Sequence, residues 1–221
     1  MIWTLIRKDW DWPWSTIPHH QRYSDLMNER EQFLFDLQGF LKVENFLSPE
    51  EVSCLNEAFD ANWDERVDDP NSHAEGGTYG PVRRGMFTGM LTWEQPHCLP
   101  FRDLLAHRKL IPYLNTLFGR GWKMDHSPFM LTGGKGTEGL RIHGSTSRHF
   151  DDSQYYIYRN GQMRCGMIVC QFQLADVNAG DGGMCVVPGS HKANLPCPAP
   201  ILTWDEDRDV VYQVPCKAGD L

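Results

Sequence analysis

The sequence predicts an α+β fold, a small β-barrel with helices packed against its outside. Three observations predict it. Two apolar stripes at helical spacing, around Leu55 and Leu114, precede Trp122. From Trp122 onward the pattern changes to short alternating strands and Gly-rich turns. The chain has 221 residues with no internal repeat, which suits one domain with a sizeable core.

Residues 1–30 form an extension rich in Trp (Trp3, Trp10, Trp12, Trp14) with Pro13 and Pro18 and no periodicity; residues 31–221 form the domain. Gly39 to Leu47 reads as an opening strand. Ser48-Pro49-Glu50-Glu51 announces a helix: Ser48 caps it, Pro49 takes the first helical position and Glu51 completes a capping box. Val52, Leu55 and Phe59 give that helix its apolar stripe. Leu110, Tyr113, Leu114, Leu117 and Phe118 mark a second helix, and Gly119 terminates it.

Gly133-Gly-Lys-Gly136 is a loop without the spacing or trailing Lys-Ser/Thr of a phosphate-binding P-loop. The clearest strand is Met167 to Leu174, with Ile168, Cys170, Phe172 and Leu174 on one face and Met167, Val169, Gln171 and Gln173 on the other. That second face either lines a barrel interior, where a ligand can sit, or belongs to an edge strand with Gln turned to solvent. Ala179-Gly-Asp-Gly-Gly183 is a turn leading into a short buried strand, Met184 to Val187.

Composition excludes several functions. Lys+Arg of 21 against Asp+Glu of 29 gives a net charge of −8, without the basic patch a nucleic-acid surface needs. The acidic run Asp60 to Asp69 reads as a solvated helix end and loop. No apolar run approaches the roughly 20 residues of a membrane span, and the N-terminal run, which ends at Ile6, is shorter than a signal-peptide core of about 7–15 residues. The seven cysteines include no C-x-x-C, which predicts reduced thiols in an intracellular, cytoplasmic protein rather than a zinc site.

Among the nine histidines, His149 has Asp151 two residues on. On a strand such a pair shares a face, supplying one nitrogen and one oxygen of the 2-His-1-carboxylate set that holds non-haem iron. A bare His-x-Asp is common by chance. His143, in Leu140-Arg-Ile-His-Gly-Ser145, is the alternative, with Ser145 a poor substitute for the carboxylate. His19, His20, His73, His97 and His107 sit in polar or loop contexts and read as surface residues.

The order of features after His149 is more specific than the pair itself. His-Phe-Asp, then Tyr155 and Tyr156, the alternating strand, the Gly-Asp-Gly-Gly turn and Val186-Val-Pro-Gly-Ser-His-Lys192 together resemble the phytanoyl-CoA dioxygenase family of Fe(II)/2-oxoglutarate oxygenases, from about Gln38 to the last residue. Leu140 to Ser145 is similar to a branch of the family with a Leu-His-Gly-Gly segment, which keeps His143 open as the proximal ligand. The resemblance implies a double-stranded β-helix (jelly-roll, cupin-like) core and the cofactors Fe(II), 2-oxoglutarate and O₂. It implies His149 and Asp151 as metal ligands, Met130 and Gln171 at positions lining the 2-oxoglutarate pocket, and His191 as part of a structural turn. It implies a small-molecule substrate, with no membrane or nucleic-acid partner.

The family's second iron-binding His and its 2-oxoglutarate-binding Arg are expected beyond Leu221, so the reading expects a domain truncated at its C-terminal end and inactive by itself. A catalytically inactive cupin-like binding domain is the competing reading. A metal-independent isomerase or sugar-binding cupin is a third, because one barrel hosts many functions.

Overall fold

A computed structural model describes residues 1–6, 27–70, 72, 82–144, 153–203 and 208–221. It combines helices with antiparallel sheets. The helices are α1 (Glu29–Gln38), α2 (Pro49–Ala61), α3 (Leu99–Leu105), α4 (Leu110–Phe118) and α5 (Ala199–Leu202). The main sheet has five strands in the order β2-β3-β4-β1-β7: β1 is Ile2–Ile6, β2 Val67–Asp68, β3 Gly85–Phe87, β4 Lys123–Thr132 and β7 Met167–Gln171. Two smaller ladders pair β5 (Tyr156–Arg159) with β6 (Gln162–Cys165), and β8 (Cys185–Val186) with β9 (Tyr212–Gln213).

The two expected helices form where the stripes place them. Ser48 accepts a hydrogen bond from the Glu51 amide, and the Glu51 carboxylate accepts from the Ser48 amide, closing the capping box of α2. Leu55, Ala58 and Phe59 are buried along α2, and Leu110, Leu114, Leu117 and Phe118 along α4. They meet one core that also holds Phe46, Phe87, Phe101, Met163, Cys170 and Phe172. Aromatic rings dominate it, with Phe59 packed edge-on against Trp93 and Phe101 at 5.6 and 5.0 Å between centroids.

Three features differ from expectation. First, α1 was not expected, because Phe33 and Leu37 face solvent and leave no apolar periodicity. Its signal is a second capping box, Asn28 with Glu31. Second, Gly39 to Leu47 is not a strand. Asn45 adopts φ of 52°, which breaks the alternation, and its amide donates to Asp220. The stretch instead exchanges backbone hydrogen bonds with the C-terminal residues, Val43 with Leu221 in both directions and the Leu47 amide with the Gly219 carbonyl. Third, the N-terminal residues enter the centre of the main sheet. β1 pairs with β7 in unbroken register from Ile2↔Gln171 to Ile6↔Met167, and with β4 in a register that shifts twice. Pro128 lies in β4 beside the Ile2↔Phe129 pair, where it offers no amide to the ladder. Trp10, Trp12 and Trp14 lie outside the described residues.

The thiols of the described residues are free, and Cys165 and Cys170 are buried, with burial pushing each up to about 12. They act as small apolar side chains. Among the described residues no helix is long and apolar enough to cross a membrane.

Candidate metal centre

All three candidate metal ligands fall in the stretch between Gly139 and Ser153. His149 and Asp151 themselves lie outside the described residues. His143 is described and exposed. Its Nδ1 lies 3.0 Å from the Arg141 carbonyl oxygen. Donation from Nδ1–H to that carbonyl leaves Nε2 with a free lone pair, the arrangement in which a ligating imidazole is normally held. The donor chemistry of His143 therefore fits a metal. Among the described residues no three His, Cys, Asp or Glu side chains gather as a metal-binding group.

Both ends of this stretch are fixed. Upstream, the Val82 amide donates to Gly136 O at 3.1 Å, the Glu138 amide to Val82 O at 2.8 Å and the Ile142 amide to Leu202 O at 2.9 Å. Downstream, the Gly166 amide donates to Tyr155 O at 2.8 Å. An ideal Cβ on Gly166 would lie 2.7 Å from Ser153 O, so only glycine lets strand β7 begin this close to that backbone.

Met130 and Gln171 are on opposite faces of the main sheet. Met130 pairs with the fully buried Phe87 and packs against the core. Gln171 follows the buried Cys170 and is half-buried on the other side. The register makes this unambiguous: Phe129 and Gln171 both stand opposite Ile2, so they share a face, and Met130 is the next residue along β4. One pocket on one face of the sheet takes Gln171 or Met130 directly, not both. Val169, on the Gln171 face, is 47% exposed, and β7 ends the sheet order, as the edge-strand alternative has it.

The other described histidines make local hydrogen bonds and ring contacts. His191 sits in a turn, Ser190–Lys192, with Nε2 3.1 Å from Asp36 O and its ring edge-on to Tyr156 at 4.8 Å. Burial pushes its pKa down. The Tyr156 hydroxyl donates to the Asp36 carboxylate, which that bond holds below the usual carboxylate range. These contacts tie α1 to β5 and to the turn after β8. His107, expected at the surface, is instead packed against Phe46 at 5.0 Å and lies 3.1 Å from the Glu51 carboxylate. His97 is half-buried beside Asn62, and His126 lies within β4 next to Asp125. His19, His20 and His73 are outside the described residues. Asp69, read from sequence as part of a solvated run, is buried and paired with Arg84. A charge surrounded by carbonyl and carboxylate oxygens in this way is withdrawn from any phosphate-binding role.

The same fold recurs in solved structures. HygX from Streptomyces hygroscopicus with nickel, 2-oxoglutarate and hygromycin B bound matches with a TM-score of 0.64 at 20% identity, over 88% of this chain and 76% of that one. HygX with iron bound matches with a TM-score of 0.58 at 19% identity, over 88% and 75%. Identities this low establish a shared fold. No curated protein matches the chain by sequence. The family model for phytanoyl-CoA dioxygenase (PhyH) matches residues 35–221, which is most of the chain. The family's cofactors are Fe(II), 2-oxoglutarate and O₂. On that match, the protein belongs to the phytanoyl-CoA dioxygenase family.

Proposed function

We propose that the chain is a non-haem Fe(II)/2-oxoglutarate-dependent oxygenase of the hydroxylase type, built on a double-stranded β-helix and acting on a small organic substrate. The observation that carries this reading is the family match across residues 35–221. His149 and Asp151 would hold the metal, with His143 as the alternative proximal ligand; a neutral imidazole and a carboxylate are the donors that non-haem iron takes. Fe(II) and 2-oxoglutarate, when bound, supply the O₂ chemistry that no protein side chain provides. The chain's own residues orient and enclose. The sheet face bearing Phe129 and Gln171 is the one turned away from the helical core, and Gln171 would meet the cosubstrate there. Met130 would support that strand from behind.

Three observations support a discrete small substrate. HygX holds hygromycin B together with 2-oxoglutarate. The net charge of −8 disfavours a polyanion. An acyl-CoA needs cations for its phosphates; the sequence offers Arg83-Arg84 and Lys135 but no dense cluster, and Arg84 is engaged inside the protein.

The test is Fe(II) binding to the purified chain under anaerobic conditions. His149 and Asp151 supply a nitrogen and an oxygen donor, so binding should be measurable. Asp151→Ala should abolish it and His143→Ala should leave it intact. Loss of binding with His143→Ala and retention with Asp151→Ala would move the site to His143. Binding unaffected by either would remove the metal assignment.

A further inference from the structure

Arg84 carries a cluster of buried polar groups that the proposed chemistry does not use. Its guanidinium Nε and Nη2 both donate to Asp69 Oδ2, at 3.0 and 2.8 Å. Its Nη1 donates to two successive backbone carbonyls, Glu138 O at 3.1 Å and Gly139 O at 2.8 Å. Ser72 closes the cluster: its hydroxyl accepts from the Arg84 amide at 3.1 Å and donates to Glu138 Oε2 at 2.5 Å. Asp69, Ser72, Arg84 and Glu138 are all buried.

A buried ion pair is a poor device for stability, because desolvation cancels much of its attraction and an apolar replacement often serves as well. What this one supplies is geometry. A planar guanidinium held at two corners by Asp69 has its third corner fixed in direction, and that corner grips two consecutive peptide carbonyls. Consecutive carbonyls fixed by one rigid group define the orientation of the peptide between them. That peptide joins Glu138 to Gly139, four residues ahead of His143 and immediately before the stretch that carries His149 and Asp151.

We infer that Arg84, locked by Asp69 and Ser72, is a positioning residue that sets the direction in which the ligand-bearing stretch starts. The inference rests on the proposed metal site. Lysine at position 84 keeps the charge for Asp69 but, as a point donor, cannot also hold both carbonyls. The metal affinity is the property at stake, since supporting groups around ligands commonly change it by about 10–100-fold.

The experiment compares wild type, Arg84→Lys, Ser72→Ala, Asp151→Ala and His143→Ala by anaerobic Fe(II) titration, thermal unfolding and amide hydrogen exchange. Arg84→Lys is expected to remain folded well below its Tm, to bind Fe(II) roughly tenfold more weakly or worse, and to exchange faster at residues 140–144 while α4 keeps its protection. A lowered Tm with unchanged Fe(II) affinity makes the cluster purely structural and overturns the inference. If Arg84→Lys does not fold, Ser72→Ala decides: it keeps the ion pair, loses only the hydroxyl bridge, and should weaken Fe(II) binding; unchanged affinity there also overturns the inference. If Asp151→Ala and His143→Ala both bind Fe(II) as wild type does, the metal-site reading itself has failed, and the positioning role falls with it.

Discussion

Gly166→Ala tests the packing that brings the downstream end of the candidate site against the sheet. The new methyl carbon would lie 2.7 Å from Ser153 O, 2.8 Å from Ser153 C and 2.8 Å from Tyr155 Cδ1. Comfortable carbon contacts lie near 3.5–4.0 Å, so the overlap is roughly 0.7 Å or more. Two of the three obstacles are backbone atoms, which cannot swing aside as a side chain can. Either the start of β7 or the Ser153–Tyr155 backbone must shift, stretching the 2.8 Å bond from the Gly166 amide to Tyr155 O. Overpacking of this kind costs about 1–3 kcal/mol. For a chain of this length each kcal/mol lowers Tm by about 2–4 °C, giving a drop of about 2–12 °C. Differential scanning calorimetry measures it directly. Because Ser153 is two residues from Asp151, Fe(II) affinity should fall as well. A Tm and an Fe(II) affinity both equal to wild type would show that the close approach at Gly166 carries no constraint.

Thr4→Pro removes an amide from a strand bordered on both sides by ladders, and should destabilise the sheet and speed exchange in Met167–Gln171; unchanged exchange there would place β1 outside the sheet. His191 has its pKa pushed down by burial, with Asp36, Lys192 and Tyr156 facing it. The folded state therefore disfavours the proton, so its contribution to stability is complete above the ordinary value of 6.5 and is lost as pH falls from there through the lowered value; urea midpoints between pH 7.5 and 5, roughly bracketing that window, should decline less in His191→Gln than in wild type. Cys54 is exposed, whereas burial pushes Cys165 and Cys170 up to about 12, so a thiol reagent on the native protein should label Cys54 and leave those two unmodified until denaturant is added.

Local rules were legible wherever the physics is local. The capping box at Ser48 and the stripe at Leu110 to Phe118 depend on neighbours within one or two helical turns, and both helices form there. The turn at Gly180 to Gly183 was legible for the same reason, since Gly180, Gly182 and Gly183 all take positive φ. The helix α1 was missed because its stabilising contacts are remote. Tyr113 of α4 donates to Glu31 and Tyr156 of β5 to Asp36, so these polar contacts and the half-buried Phe35 dock a helix whose Phe33 and Leu37 stay exposed.

The sequence by itself determined the family, from the order of His149-Phe150-Asp151, the Gly-Asp-Gly-Gly turn and the Pro-Gly-Ser-His segment, together with the α+β class and the two helices of the core. It also confined the candidate ligands to one stretch, because residue type alone says which side chains can hold iron. Only the tertiary structure decided that Asp69 and Arg84 form a buried clamp 15 residues apart in sequence. It also decided that His107 is packed against Phe46, that Met130 and Gln171 stand on opposite faces, and that Ile2–Ile6 fills the middle of the sheet between β4 and β7. These outcomes depend on pairing register and on partners far along the chain. A one-residue change of register turns every side chain of a strand to the other face, and neither the alternation of a single strand nor its composition encodes which neighbour sets that register.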